Sequence, residues 1–101
     1  MKFTSYDGEI ELEGAALKIK KNEDDVGHIV RLSDVLYVTL LKPRFGTAGC
    51  LYIQLKGAKI YSSNAITMNY VGEPNAIFFR KQQYDDAFLF KEAIEQAMIK
   101  N

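Results

Sequence analysis

Asn75-Ala76-Ile77-Phe78-Phe79-Arg80-Lys81 runs straight into a stretch, from Gln82 to Lys100, whose apolar residues follow a different rhythm. The first part reads as a short apolar strand. In the second, Tyr84, Ala87, Phe90 (or Phe88), Ile94, Ala97 and Met98 recur at steps of three and four, the spacing that puts side chains on one face of a helix. Lys91, Glu92, Glu95, Gln96 and Lys100 fall mostly on the opposite face. Asp85 and Asp86 lie where the first turn should be and Lys100 where the last should be, so both ends complement the helix dipole. About 17 residues at ~1.5 Å each make a rod of roughly 25 Å, long enough to cover the open end of a small barrel. Phe88, Leu89 and Phe90 in succession exceed what one core-facing stripe accepts. Leu89 therefore stands at the stripe's edge or faces a second apolar surface.

Everything upstream reads as strands. Residues 1–6 form a short lead strand or an arm, closed by the turn signal Asp7-Gly8. Residues 9–13 alternate strictly, with Ile10 and Leu12 inward, and residues 15–21 alternate again around Leu17 and Ile19. Only Glu13-Gly14-Ala15 separates them, which predicts a tight antiparallel hairpin with glutamates facing lysines across its outer surface. Asn22-Glu23-Asp24-Asp25 is a solvated loop, residues 28–32 a third short strand, and Ser33-Asp34 a turn. Residues 35–41 are apolar on both alternating faces, so one face needs a cover besides the core: the helix or another copy of the protein. Lys42-Pro43-Arg44-Phe45-Gly46 ends that strand and residues 49–56 form the next. Residues 57–70 are the least legible, with strand character at 59–61 and 66–70; Gly46, Gly49, Gly57 and Gly72 read as turn residues. The expectation is a mainly β (α+β) fold: six or seven antiparallel strands as a bent barrel or sandwich, capped by one C-terminal helix.

Length and charge narrow the functional classes. At 101 residues the chain is expected to be one domain spanning residues 1–101. Thirteen basic and thirteen acidic side chains cancel and are mixed along the chain, which removes the composition-level case for nucleic acid or an anionic membrane. The single cysteine, Cys50, suits a reducing compartment. No basic-then-apolar leader opens the chain, and no apolar run approaches the ~18 residues of a membrane span. A cytoplasmic protein without a membrane span is the expectation.

The order of pieces carries a resemblance. Gly8-Glu9-Ile10-Glu11-Leu12-Glu13-Gly14 is followed by Leu17-Lys18-Ile19-Lys20, then Ile29-Val30-Arg31-Leu32-Ser33-Asp34-Val35, then Val38 through Lys42-Pro43. Gly49-Cys50-Leu51-Tyr52-Ile53 comes next, then the strand from Asn75 and the helix. This resembles the bacterial pleckstrin-homology-like (PH-like) domains, a family of unknown function, over residues 6–100 but with no match at 57–70. The resemblance implies a strongly bent seven-stranded antiparallel barrel plugged at one end by the C-terminal helix, and it implies no particular activity.

Candidate sites are few. Phosphoinositide binding, the familiar activity of the eukaryotic relatives, needs several cations at a long loop between the first two strands. That loop is two or three residues here, and Lys18, Lys20 and Lys21 are followed by Glu23, Asp24 and Asp25. Cys50 and His28 are the only nucleophile-and-base candidates; they lie on different strands without a motif, and one of each cannot make the usual zinc set. No catalytic, cofactor or metal site is assigned. Lys42, Arg44 and Phe45 combine two cations with an aromatic ring, able to hold an anion or a peptide. Six tyrosines and six phenylalanines are many for one core. Tyr37, Tyr52, Tyr61 and Tyr70 are placed on strand faces turned from the interior, where a contiguous patch would mark an interface. The reading is a non-catalytic, self-associating interaction module with Tyr37, Lys42, Arg44, Phe45, Tyr52 and Leu89 as its surface. Capture of another protein or peptide between the helix and the sheet is the alternative.

Overall fold

The alternation of the first third folds as an antiparallel meander. The computed structural model describes residues 1–24 and 26–100. Strands β1 (Lys2–Ser5), β2 (Gly8–Glu13), β3 (Ala16–Lys21) and β4 (His28–Arg31) pair in chain order into one sheet. Of the expected loop at 22–25, Asp25 lies outside the described residues. The hairpin register sets Glu9 opposite Lys20 and Glu11 opposite Lys18, as the alternation requires. The ion pair on this face runs from Lys2 to Glu9 at 3.0 Å. A short 3₁₀ turn, Leu32–Asp34, then carries the chain into a second sheet of β5 (Val35–Leu41), β6 (Gly49–Leu55) and β7 (Ala76–Phe79), again in chain order. Helix α1 (Tyr84–Lys100) follows a 3₁₀ turn at Lys81–Gln83 and packs on β5, β1 and β6. It is the longest helix, and no helix among the described residues is long and apolar enough to cross a membrane.

The two sheets do not close into a barrel, a correction to the barrel reading. Where a closing ladder would run, the free edge of β7 is satisfied by side chains of the first sheet and of its β1–β2 turn. Ser5 Oγ donates to the Phe78 carbonyl (2.6 Å), the Phe78 N–H donates to Asp7 Oδ2 (3.0 Å), and Lys21 Nζ donates to the Ala76 carbonyl (2.5 Å). Lys21 and Asp7 form an ion pair at 2.6 Å beneath them. Side-chain pairing blunts the edge as a strand would, without forcing the sheets into one cylinder.

Between the sheets lies the main core. Phe3, Ile10, Leu17 and Ile19 enter from the first sheet, Val35, Val38, Leu51, Ile53, Ile77 and Phe79 from the second, and Ala87, Phe90 and Ile94 from α1. The helix face is the one its spacing predicts, with Phe90 and not Phe88 inward. Gly49 also belongs here: it is strand, not turn, because the Phe79 ring lies across it. A Cβ at Gly49 would stand 2.5 Å from two ring atoms of Phe79 and 2.9 Å from the Leu41 carbonyl oxygen. Gly49→Ala is therefore expected to cost ~1–3 kcal/mol by overpacking, read as a lower urea midpoint at unchanged m-value. A midpoint equal to the parent's would show that the Phe79 ring can swing away.

Two segments differ from the sequence reading. In β5 the strict two-face alternation fails, because the register shifts between Val35 and Tyr37. Val35 and Val38 both turn inward, while Leu36 and Tyr37 are extruded at the bulge and exposed. Residues 57–70 contain no strand; the stretch 66–70 expected as one holds a 3₁₀ turn, Thr67–Tyr70. This segment folds over the outer face of β6 and builds a second small core from Cys50, Tyr52, Tyr70 and Ala76, with Leu41, Tyr61, Ala65 and Phe78 around it. Its ends are pinned by polar bonds: Gln54 Nε2 donates to the Lys59 carbonyl (3.0 Å) and Thr67 Oγ1 to the Ala48 carbonyl (2.8 Å). The second cover that the apolar strand needed is thus partly supplied by the chain's own loop.

Candidate functional site

Pro43 removes a ladder donor at the end of β5, and directly after it Arg44 and Thr47 exchange hydrogen bonds: the Arg44 N–H donates to the Thr47 carbonyl (3.1 Å) and the Thr47 N–H to the Arg44 carbonyl (2.8 Å). Phe45 and Gly46 form the tip of this turn. Gly46 sits at φ +74°, the left-handed region that the third position of such a turn demands and that glycine enters without strain. Phe45, held one position earlier, projects fully into solvent. Burying a phenylalanine side chain is worth roughly 1.5–3 kcal/mol, so a rigid turn that displays one leaves an energetically unfilled contact.

Two clefts flank this tip. One, of about 570 Å³, is lined by Tyr6, Arg44, Phe45, Thr47, Arg80 and Lys81 among others. Three cations line it and no carboxylate does. The Arg80 guanidinium carbon lies over the Tyr6 ring, 4.6 Å from its centre, a cation–π contact. The second cleft, of about 500 Å³, shares Arg44, Phe45 and Thr47 and adds apolar walls from Leu40, Ile66 and Met68. Ile66 and Met68 are themselves exposed.

The structure brings together some of the residues singled out in the sequence and separates others. Arg44 and Phe45 share both clefts, and Lys42 lies at the second, its ammonium 5.4 Å from the Tyr84 ring centre. Tyr37 is exposed at the β5 bulge. Leu89 is exposed on the outer side of α1, beside Met1, Lys2, Phe3 and Thr4. Tyr52 is a correction: at 4% exposure it lies in the second core and offers nothing to a partner. Tyr61 and Tyr70 join it, with ring centres 5.7 and 4.8 Å from Tyr52, so most of the tyrosine excess is internal. Tyr6, Ile66, Met68, Arg80 and Lys81 were missed. The dipeptide Arg80-Lys81 was visible as a cationic pair at the end of a strand; that the 42–48 loop abuts it was not.

Cys50 is fully buried, and burial pushes its thiol from an ordinary 9 up to about 12. His28 Nε2 is 2.6 Å from Asn75 Oδ1, a bond that ties β4 to the start of β7. Beneath the loop, Glu73 accepts hydrogen bonds from Tyr61 (2.7 Å) and Tyr52 (3.3 Å). The bond to Glu73, with burial, raises the Tyr61 hydroxyl from 10 to about 12; burial, with Glu73 adding, pushes Tyr52 up as well.

These groups hold their protons more tightly folded than unfolded. Their contribution to stability is complete below pH 9–10, the ordinary thiol and phenol values, and is lost as pH rises toward 12. Urea midpoints should thus be level up to about pH 9 and fall steeply above pH 10. The fall should be shallower in Tyr61→Phe. An identical alkaline slope in that variant would mean the Glu73 bond does not set it.

Compared with known proteins, the chain matches no family model, no curated protein and no solved structure at a significant level.

Proposed function

We propose that this chain is a non-catalytic interaction module built on a PH-like plan, and that it associates with further copies of itself. The plan is supported by seven antiparallel strands divided four and three, followed by a C-terminal helix, the order the resemblance implies. The observation that carries the interaction reading is Phe45, displayed in full at the tip of a doubly hydrogen-bonded turn between two clefts. Aromatic side chains in such positions dominate protein interfaces because they bury much area with few rotamers to freeze. Sedimentation velocity over a concentration series tests the reading. A mass above 11.5 kDa that rises with concentration is expected, and Phe45→Ser should weaken the association ~tenfold or more. A particle of 11.5 kDa at every concentration would end it.

Capture of a protein segment between helix and sheet is the second reading. It is favoured by a groove of about 370 Å³ between β1 and α1, lined by Met1, Phe3, Thr4, Asp86 and Leu89. Peptides selected from a random displayed library should then shift the amides of residues 1–4 and 86–89. Peptides that map elsewhere, or a library that yields none, would remove this reading.

A further inference from the structure

The outer side of α1 carries what the cationic cleft lacks. Asp85, Phe88, Leu89 and Glu92 stand at steps of three and four, so they share one stripe, with Asp86 at its border; all five are exposed. The stripe is two apolar side chains flanked by carboxylates. The cleft is two aromatic rings, Tyr6 and Phe45, flanked by Arg44, Arg80 and Lys81. Among the described residues none of these three cations, and none of Asp85, Asp86 and Glu92, forms an ion pair; the pairs present are Lys2–Glu9, Lys21–Asp7, Arg31–Asp34 and Lys91–Glu95. In a chain whose charges otherwise cancel, two such unpaired patches of opposite sign are matched to each other.

We propose that the acidic, apolar stripe of α1 in one copy docks in the Tyr6–Arg44–Arg80 cleft of a second copy, with Phe45 of each packing against Phe88 and Leu89 of the other. This rests on the self-association reading and names its contact. Lys81 of the cleft lies in the 3₁₀ turn that leads into α1, four residues before Asp85 at the head of the stripe, so cleft and stripe are adjacent along the chain. Two copies related by a twofold axis can then make the contact twice, each giving its stripe and receiving its partner's. Such a contact closes on itself and yields a dimer. Guanidinium groups suit it because each meets a carboxylate through two parallel hydrogen bonds.

Charge reversal tests the contact in both directions. One variant carries Arg44→Glu with Arg80→Glu, the other Asp85→Arg with Glu92→Arg. The parent should sediment at twice 11.5 kDa, and each variant alone as a monomer, with dimer affinity at least ~tenfold lower. Their mixture should recover the dimer, because in the mixed pair one contact is native and the other is reversed on both sides. Rising salt should weaken the parent dimer. Thermal melts of both variants check folding; where a reversal unfolds the chain, Arg80→Gln and Glu92→Gln replace it and must each weaken the dimer. A parent that associates, with variants that associate equally well, overturns this contact and leaves self-association standing. So does a mixture that stays monomeric. A monomeric parent overturns both.

Discussion

Phe90→Ala is expected to lower the unfolding free energy by ~3–5 kcal/mol, the cost of a phenylalanine-sized cavity in a core. Phe90 is 1% exposed and is the point where three elements meet. Its ring centre lies 6.1 Å from that of Phe3 in β1, and Phe3 in turn meets Phe79 of β7 edge-on at 5.8 Å. Removing it leaves a cavity beneath the helix, which Ala87 and Ile94 still hold against the core, and neighbours drawn from strands relax little into the space. Against a typical total of ~5–15 kcal/mol, the loss takes a large share of stability. Phe88→Ala, two positions away and 43% exposed, is the control and should change stability by under ~1 kcal/mol. Urea unfolding followed by circular dichroism measures both. Equal effects in the two variants would mean that the helix is not seated by its Phe90 face.

The second large effect is at the seam between the sheets. Asp7→Ala should cost ~2–4 kcal/mol, because it leaves Lys21 Nζ and the Phe78 N–H without the oxygen that serves both. Both side chains of the pair are 16% exposed, so water relieves part of the penalty and the loss stays below that of a fully sealed pair. Lys21 also lies over the Phe78 ring at 5.0 Å, which holds its ammonium at the β7 edge. Asp7→Asn keeps an acceptor for the amide while removing the charge, and should cost less than Asp7→Ala. Amide exchange at Phe78 provides a local readout: it should quicken by more than the global change in stability, as the edge of β7 frays. Exchange at Phe78 that merely tracks the global change would show that the edge is held by something other than Asp7.

Local periodicity was enough to find most elements. Strict alternation around Ile10, Leu12, Leu17 and Ile19 defined the first hairpin and its register, and the three-and-four spacing of Ala87, Phe90 and Ile94 defined the seated face of the helix. Such patterns are legible because burial of one face is a property of each segment taken alone. The failures came where burial depends on a distant segment. Tyr52, Tyr61 and Tyr70 look like a surface patch when each is assigned to its own strand, yet they pack together because the 57–70 loop folds back over β6. That loop has no period of its own to betray this; its position rests on Gln54, Thr67 and Glu73 hydrogen bonds to partners up to 21 residues away in sequence.

The same division holds for the candidate site. Lys42, Arg44 and Phe45 stand out as a cationic and aromatic run, and a proline-to-glycine loop exposes them whatever the surroundings. The cationic cleft that Arg44 and Phe45 line, however, is completed by Tyr6, Arg80 and Lys81, far from them along the chain. Strand and helix follow from side-chain spacing, which any short window contains. A cleft follows from the meeting of segments far apart in sequence, and that meeting is set by packing in the common core and by the Ser5, Asp7 and Lys21 bonds that draw the first sheet to β7.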